Sequence, residues 1–267
     1  MSILINNQTQ FSYGGNPPLP SSTPSVTPSV TPSITPTLSP TVTPTMSITP
    51  SFTPSVTPSV IPTNYSARFN GVNNYLFIQN YPALNPGTAD FTIEAWVYAN
   101  NNNPSGSIYE GVKGGIGLDF NLKKLAFAHS YVSFLLTDPN IFPSFQWVSV
   151  AATRSGSNLY LFKNGTIVAS GVNVTEFDSD AITYVGGQSG GGNFDGYISN
   201  LRLVIGTALY TTNYTPQSSH LTAIPGTQLL MLQNSNIVDN SVNNFTISNP
   251  VTGYPVYTTN SVIPFNF

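Results

Sequence analysis

The sequence predicts an all-β fold: an antiparallel two-sheet sandwich behind an extended, proline-rich N-terminal stalk. Three observations point there. From Tyr65 onward, short runs of alternating apolar and polar residues are separated by Asn, Gly and Ser. No stretch of the chain keeps a 3.6-residue period for three turns. Proline is crowded into the first quarter, with 13 of 23 residues before position 68, and at that density it excludes helix and interior sheet.

The strands follow in order. Phe91-Thr-Ile-Glu-Ala-Trp-Val-Tyr98 alternates, with Ile93, Ala95 and Val97 on one face and Glu94, Trp96 and Tyr98 on the other. Trp147 to Thr153 is a strand that ends in the turn Arg154-Ser-Gly-Ser157. Asn158 to Phe162 and Ile167 to Ser170 flank Asn164-Gly165, the dipeptide that most strongly marks a tight hairpin. Ala181 to Val185, Phe194 to Val204 and Gln228 to Leu232 complete the set. Trp96 and Trp147 lie in or at the start of strands and read as core.

Residues 20–63 are of another kind. Of these 44 positions, 11 are Pro, 22 are Ser or Thr and 11 are apolar. Proline recurs every four residues from Pro24 to Pro44, and again from Pro50 to Pro62 after a slip of two. One apolar residue per unit keeps the same period, including Val26, Val30, Ile34, Val56 and Val60. In polyproline II, with three residues per turn, a four-residue step turns each apolar position by about 120°. The apolar positions thus spiral around one chain, and only chains wound together bury them. That predicts a homo-oligomer, preferably a trimer. A disordered Ser/Thr/Pro stalk, bare or glycosylated, also satisfies the composition. Residues 1–19 carry Ile3, Leu4, Ile5, Phe11 and Tyr13 as anchors and read as an attachment or assembly segment. They are followed by the stalk (20–63), the sandwich (65–248) and a C-terminal extension (249–267).

The composition narrows the function. The chain of 267 residues has 7 Lys+Arg, 10 Asp+Glu and a net charge of −3. Seven basic residues do not build a phosphate-binding surface, so nucleic acid is not expected as a partner. The absence of cysteine excludes disulfides and thiolate chemistry, and two histidines exclude a multi-histidine metal site. No apolar run approaches a membrane span, and the first residues lack the charged flank and apolar core of a signal peptide.

The order of motifs carries a family resemblance. Tyr75 to Phe77, the Phe91–Tyr98 and Trp147–Ser157 runs, Leu159-Tyr-Leu-Phe-Lys-Asn-Gly165, Val185-Gly-Gly187 and Phe194–Leu203 resemble the concanavalin A-like, laminin G-like jelly-roll family. The later motifs Gly206–Tyr210, Asn213-Tyr-Thr-Pro216, Leu221–Leu230 and Asp239–Thr246 are similar to a subgroup found in virion appendages of tailed phages. The resemblance implies a jelly-roll fold and a role among lectins, adhesion modules, glycosidases or structural parts.

The residues then separate these roles. Glycosidases need two carboxylates across a sugar, and the Glu-x-Asp-x-x-Glu run of this fold's glucanases is absent. Glu94 has Thr92 and Trp96 at two-residue spacing. An enzyme is therefore not expected. Sugar binding calls for aromatic platforms beside amides, and Tyr109, Tyr131, Phe134, Gln188 and Asn193 are the candidates. Asp178 and Asp180 alternate in an acidic loop, a site for Ca²⁺ or simply a solvated loop; Asp119 and Asp195 read as further acids in or near loops. The expectation is a non-catalytic virion appendage protein at the virion surface. Residues 1–19 would join other virion proteins, and the sandwich would attach to host glycans. The rival is a self-assembling cellular surface fibre subunit or adhesin, held by other surface-fibre proteins, outside the cell.

Overall fold

A computed structural model of the chain describes residues 65–79, 81–129, 133–178, 182–217, 219–249 and 256–260. The segments expected to be an anchor (1–19) and a stalk (20–63), with Val26, Val30, Ile34, Val56 and Val60, lie outside the described residues. Among those described, no helix is long and apolar enough to cross a membrane.

Alternation does the work expected of it. Among the described residues, fifteen strands form two antiparallel sheets. They are β1 (Tyr65–Asn70), β2 (Leu76–Ile78), β3 (Phe91–Ala99), β4 (Gly106–Gly111), β5 (Ile116–Asn121), β6 (Lys124–His129), β7 (Phe134–Thr137) and β8 (Trp147–Ser155). Then come β9 (Asn158–Lys163), β10 (Thr166–Val172), β11 (Thr183–Val185), β12 (Asp195–Ile205), β13 (Thr227–Met231), β14 (Ile247–Ser248) and β15 (Tyr257–Asn260). Sheet A has the order β10-β9-β8-β3-β12-β1-β15, with β13 also on β12. Sheet B has the order β14-β2-β11-β4-β5-β6-β7. The two inner faces form one jelly-roll core.

Ile93, Ala95 and Val97 share the inner face of β3, opposite Ala152, Val150 and Val148 on β8, and all six are buried. From sheet B, Leu118 and Phe127 pair across β5 and β6 and pack inward. Phe91 of sheet A meets Phe127 and Phe177 at ring-centroid distances of 5.9 and 5.3 Å. The Asn164-Gly165 turn closes β9 and β10 with both residues at positive φ, 49° and 73°, the primed geometry that matches strand twist. A Cβ at Gly165 would also lie 1.9 Å from the Tyr214 carbonyl oxygen, so glycine is needed there twice over.

Within the C-terminal extension, Tyr257–Asn260 pairs with Tyr65–Arg68 at the edge of sheet A, and Val256 is buried. Two expectations need correction. Trp147 is half-buried, not core. The register sets it opposite Tyr98, on the outer face of sheet A, where it packs edge-on to Tyr98 at 5.7 Å. Asp119 belongs to no loop but lies inside β5.

Candidate functional site

The outer faces of the two sheets differ, and the difference locates the site. On sheet A, the segment 206–224 lies across β3, β8 and β12. Leu209 donates its backbone N–H to Thr92 Oγ1 at 2.8 Å, Thr153 Oγ1 donates to the Tyr210 carbonyl at 2.7 Å, and Tyr210 stacks on Tyr214 at 3.6 Å. Beneath it, Arg202 donates to Glu94 Oε1 from Nε at 2.9 Å and from Nη2 at 2.6 Å, and Tyr210 donates to Glu94 Oε2 at 2.9 Å. A bulge in β12 makes this possible. Asn200 and Leu201 together oppose Ala95, so the alternation resets and Arg202 faces Glu94. Burial and the Glu94 carboxylate push the Tyr210 phenol far above its usual pKa.

On sheet B, one rung of residues crosses six strands on the outer face. Phe77 pairs with Tyr184, Tyr184 with Glu110, Glu110 with Gly117, Gly117 with Ala128, and Ala128 with Phe134. Aromatic rings therefore stand at both ends, with Glu110, Gly117 and Ala128 between. Tyr184 and Phe134 are four strands apart, about 19 Å at roughly 4.8 Å per strand. Tyr75 meets Tyr184 edge-on at 5.5 Å, and burial raises the Tyr184 pKa, with Tyr75 adding to it.

In the middle of this face two carboxyl groups converge. Asp119 stands on β5 opposite Ser107 and Ala126, one step along from Gly117. A Cβ at Gly117 would lie 2.7 Å from Asp119 Oδ2 and 2.9 Å from Glu110 Oε2, so only glycine leaves room for both. Glu110 is fully buried and Asp119 is 3% exposed. Neither Asp119 oxygen has a hydrogen bond of normal geometry among the described residues. Burial raises its pKa from 3.8 to about 6, and the adjacent Ser107 and Glu110 hold back part of the rise.

Two hollows of about 300 Å³ each open beside this face. Gln188 lines both. The first is walled by Val72, Asn73, Tyr75 and Asn193 together with Ser189 to Gly191. The second is walled by Gly106, Ser107, Asp119, Phe120, Phe134 and Gly192. The loop 186–192 between them is tied down at both ends. At its start Gly186 donates its backbone N–H to the Ile108 carbonyl at 3.1 Å; at its end Ser107 donates its backbone N–H to the Gly192 carbonyl at 3.0 Å, and Asn193 Nδ2 donates to the Val72 carbonyl at 2.8 Å.

Of the residues expected from the sequence, Phe134, Gln188 and Asn193 come together around these hollows. Tyr109 does not. It is buried between the sheets, opposite Leu118 and Val185, and its phenol pKa is pushed up by that burial, so it offers no platform. Tyr131 and Asp180 lie outside the described residues. Asp178 is exposed, and among the described residues no three His, Asp or Glu side chains converge to hold a metal ion. Asp195 is held by Arg68 at 2.7 Å. Sequence reasoning missed Tyr75, Phe77, Tyr184, Glu110 and Asp119 as a group. Glu110 and Asp119 meet across strands and so leave no mark at a fixed spacing.

The family model of the concanavalin A-like lectin/glucanase superfamily matches residues 70–208, just over half of the chain. The chain belongs to this superfamily. Among solved structures, the fold is similar to a carbohydrate-binding candidate from Bacteroides ovatus, at 18% identity and a TM-score of 0.51, covering 73% of this chain and 62% of that one. The chain thus spans less than two thirds of that protein's length. Lower likenesses include domain 4 of an extracellular arabinanase from Geobacillus stearothermophilus, solved with arabinotriose (16% identity, TM-score 0.42, 52% of this chain and 69% of that one). Another is the mouse laminin α1 chain, domains LG4-5 (17% identity, TM-score 0.40, 58% and 47%). No curated protein matches the sequence significantly.

Proposed function

We propose that this superfamily member is an attachment protein that holds a glycan on the outer face of sheet B without cleaving it. The observation that carries the reading is the contrast between faces. Sheet A is covered by the segment 206–224, while sheet B presents aromatic rings at both ends of its outer rung and amide-lined hollows at its rim. Rings stack on the apolar faces of sugars while amides and hydroxyls meet their OH groups, which is the division of labour in ligand pockets. Glu110 and Asp119 do not change this. Their carboxyl oxygens are buried, and a glycosidic acid and base must touch the bond they cleave.

The same proposal places the sandwich on a virion appendage. Residues 20–63 would wind as a homotrimer through Val26, Val30, Ile34, Val56 and Val60, and residues 1–19 would dock on other virion proteins. The four-residue period and the order of sandwich motifs support this part. Many weak sites on one appendage add to firm attachment.

The test uses the full-length chain on an array of immobilised glycans, with reducing-sugar release measured in parallel. Binding without release is expected. Released sugar would overturn the non-catalytic reading, and a folded chain that retains no glycan would overturn attachment. Recovery of the chain as particle-free homopolymers, never in purified virions, would favour the cellular fibre instead.

A further inference from the structure

The charge inventory of the chain narrows the ligand. This step rests on the glycan-binding reading above. Neither hollow is lined by Lys, Arg or His. The chain has only seven Lys and Arg, and the structure accounts for each. Arg68 is held by Asp195, Lys163 by Asp138 and Arg202 by Glu94. Arg154 is turned inward, donating to the carbonyls of Thr175 at 2.7 Å and Gly156 at 2.8 Å. Lys113 and Lys123 sit in the turns that join β4 to β5 and β5 to β6. Lys124, opposite Asn121, shares the outer face with Asp119 but lines neither hollow.

The ionisable group in the walls is an acid. Asp119 lines the second hollow, with Glu110 beside it. An anionic sugar brought here would exchange its water for a wall with no cation and with like charge beneath, a mismatch that costs binding. What the walls do offer is neutral. Tyr75 and Phe134 supply rings, Ser107 and Ser189 supply hydroxyls, and Gln188 supplies an amide that makes no hydrogen bond among the described residues. Gln188 stands on the divide, so one amide serves both hollows.

We infer that the site takes an uncharged oligosaccharide that passes over Gln188, with one sugar in each hollow. Carboxylated, sulfated and phosphorylated glycans are excluded. The experiment presents the full-length chain, at pH 7.5 and low ionic strength, to matched pairs of neutral oligosaccharides and their sialylated, uronate-containing and sulfated counterparts. Low salt strengthens any attraction to anions, so the conditions favour the opposite result. Retention confined to neutral members is expected, and Gln188→Ala should weaken it at least about tenfold with the melting temperature unchanged. Retention confined to anionic members would overturn the inference and leave the attachment reading standing. Neutral binding untouched by Gln188→Ala would overturn the placement across the two hollows. Absence of binding to every member by a folded chain would overturn the attachment reading itself.

Discussion

Sheets A and B each place an acid in the middle of an outer face, and they treat it in opposite ways. Glu94 on β3 meets Arg202 on the neighbouring strand and Tyr210 from the segment laid over it. Asp119 on β5 meets another acid, Glu110, over a glycine. The first arrangement is matched in charge and roofed, and it serves the fold. The second is mismatched in charge, with a hollow beside it, and no gain in stability explains it. A buried like-charge pair is tolerated where the face has another use. That contrast is the physical ground for placing ligand chemistry on sheet B.

The largest effect expected from breaking the contrast lies on sheet A. Arg202→Met would leave Glu94 buried without its cation and should cost about 3–5 kcal/mol in denaturant unfolding. The double change Glu94→Leu with Arg202→Met should recover most of that loss, because the uncompensated charge goes with it. A double variant as unstable as the single one would mean that the packing of Arg202, and not its charge, holds the roof.

On sheet B the sign reverses. The folded-state pKa of Asp119 is raised, from 3.8 to about 6. The stability contributed by its protonated form is therefore fully present below about pH 4 and is lost as pH rises through about 6. Two pH units correspond to about 3 kcal/mol. Asp119→Asn should raise the melting temperature at pH 7.5 and leave it nearly unchanged at pH 3.5. A loss at both pH values would show that the carboxyl group has a stabilising partner whether protonated or ionised.

Tyr210→Phe is a milder probe of the roof. It removes one hydrogen bond to a carboxylate that keeps its arginine, so about 1–2 kcal/mol is expected. Melting curves at pH 7 would read it. A larger loss would mean that the Tyr210–Tyr214 stack depends on that hydroxyl for its position.

The same contrast explains what the sequence revealed. Sheet A was legible because its strands are long and β-rich; Phe91–Tyr98 alternates without interruption, and Asn164-Gly165 announces its hairpin. The strands of sheet B that carry the site, β4 to β7, were not read as strands. Their alternation is present in Ile116, Leu118 and Phe120, and in Leu125 and Phe127, but Gly117 and Asp119 fill the outward positions and resemble turn residues. Those two outward residues are the floor of the site. The covering segment was visible only through its order of motifs, and the Glu94–Arg202 pair spans 108 residues, beyond any local pattern. Gln188, Asn193 and Phe134 were reachable because their chemistry, amides in a glycine-rich loop and an aromatic residue outside the strong strands, does not depend on register.

The smallest expected effect on stability is also the most direct test of what sheet B's face is for. Phe134 lies on the edge strand β7 and is 39% exposed. Truncating an aromatic residue of the core costs about 3–5 kcal/mol, whereas a surface change away from caps, cavities and buried charges stays within about 0.5 kcal/mol. Phe134→Ala belongs near the second figure, because Leu136 supplies the inward contact of β7 through its pairing with Phe127. If the ring is a sugar platform, its removal should still weaken glycan retention about tenfold, which corresponds to about 1.4 kcal/mol of binding. Tyr210→Phe, on the other sheet, should do the reverse, lowering stability while leaving retention intact. Equal loss of stability from the two changes would mean that Phe134 is part of the fold's packing, and the distinction between a roofed face and a binding face would fail at that residue.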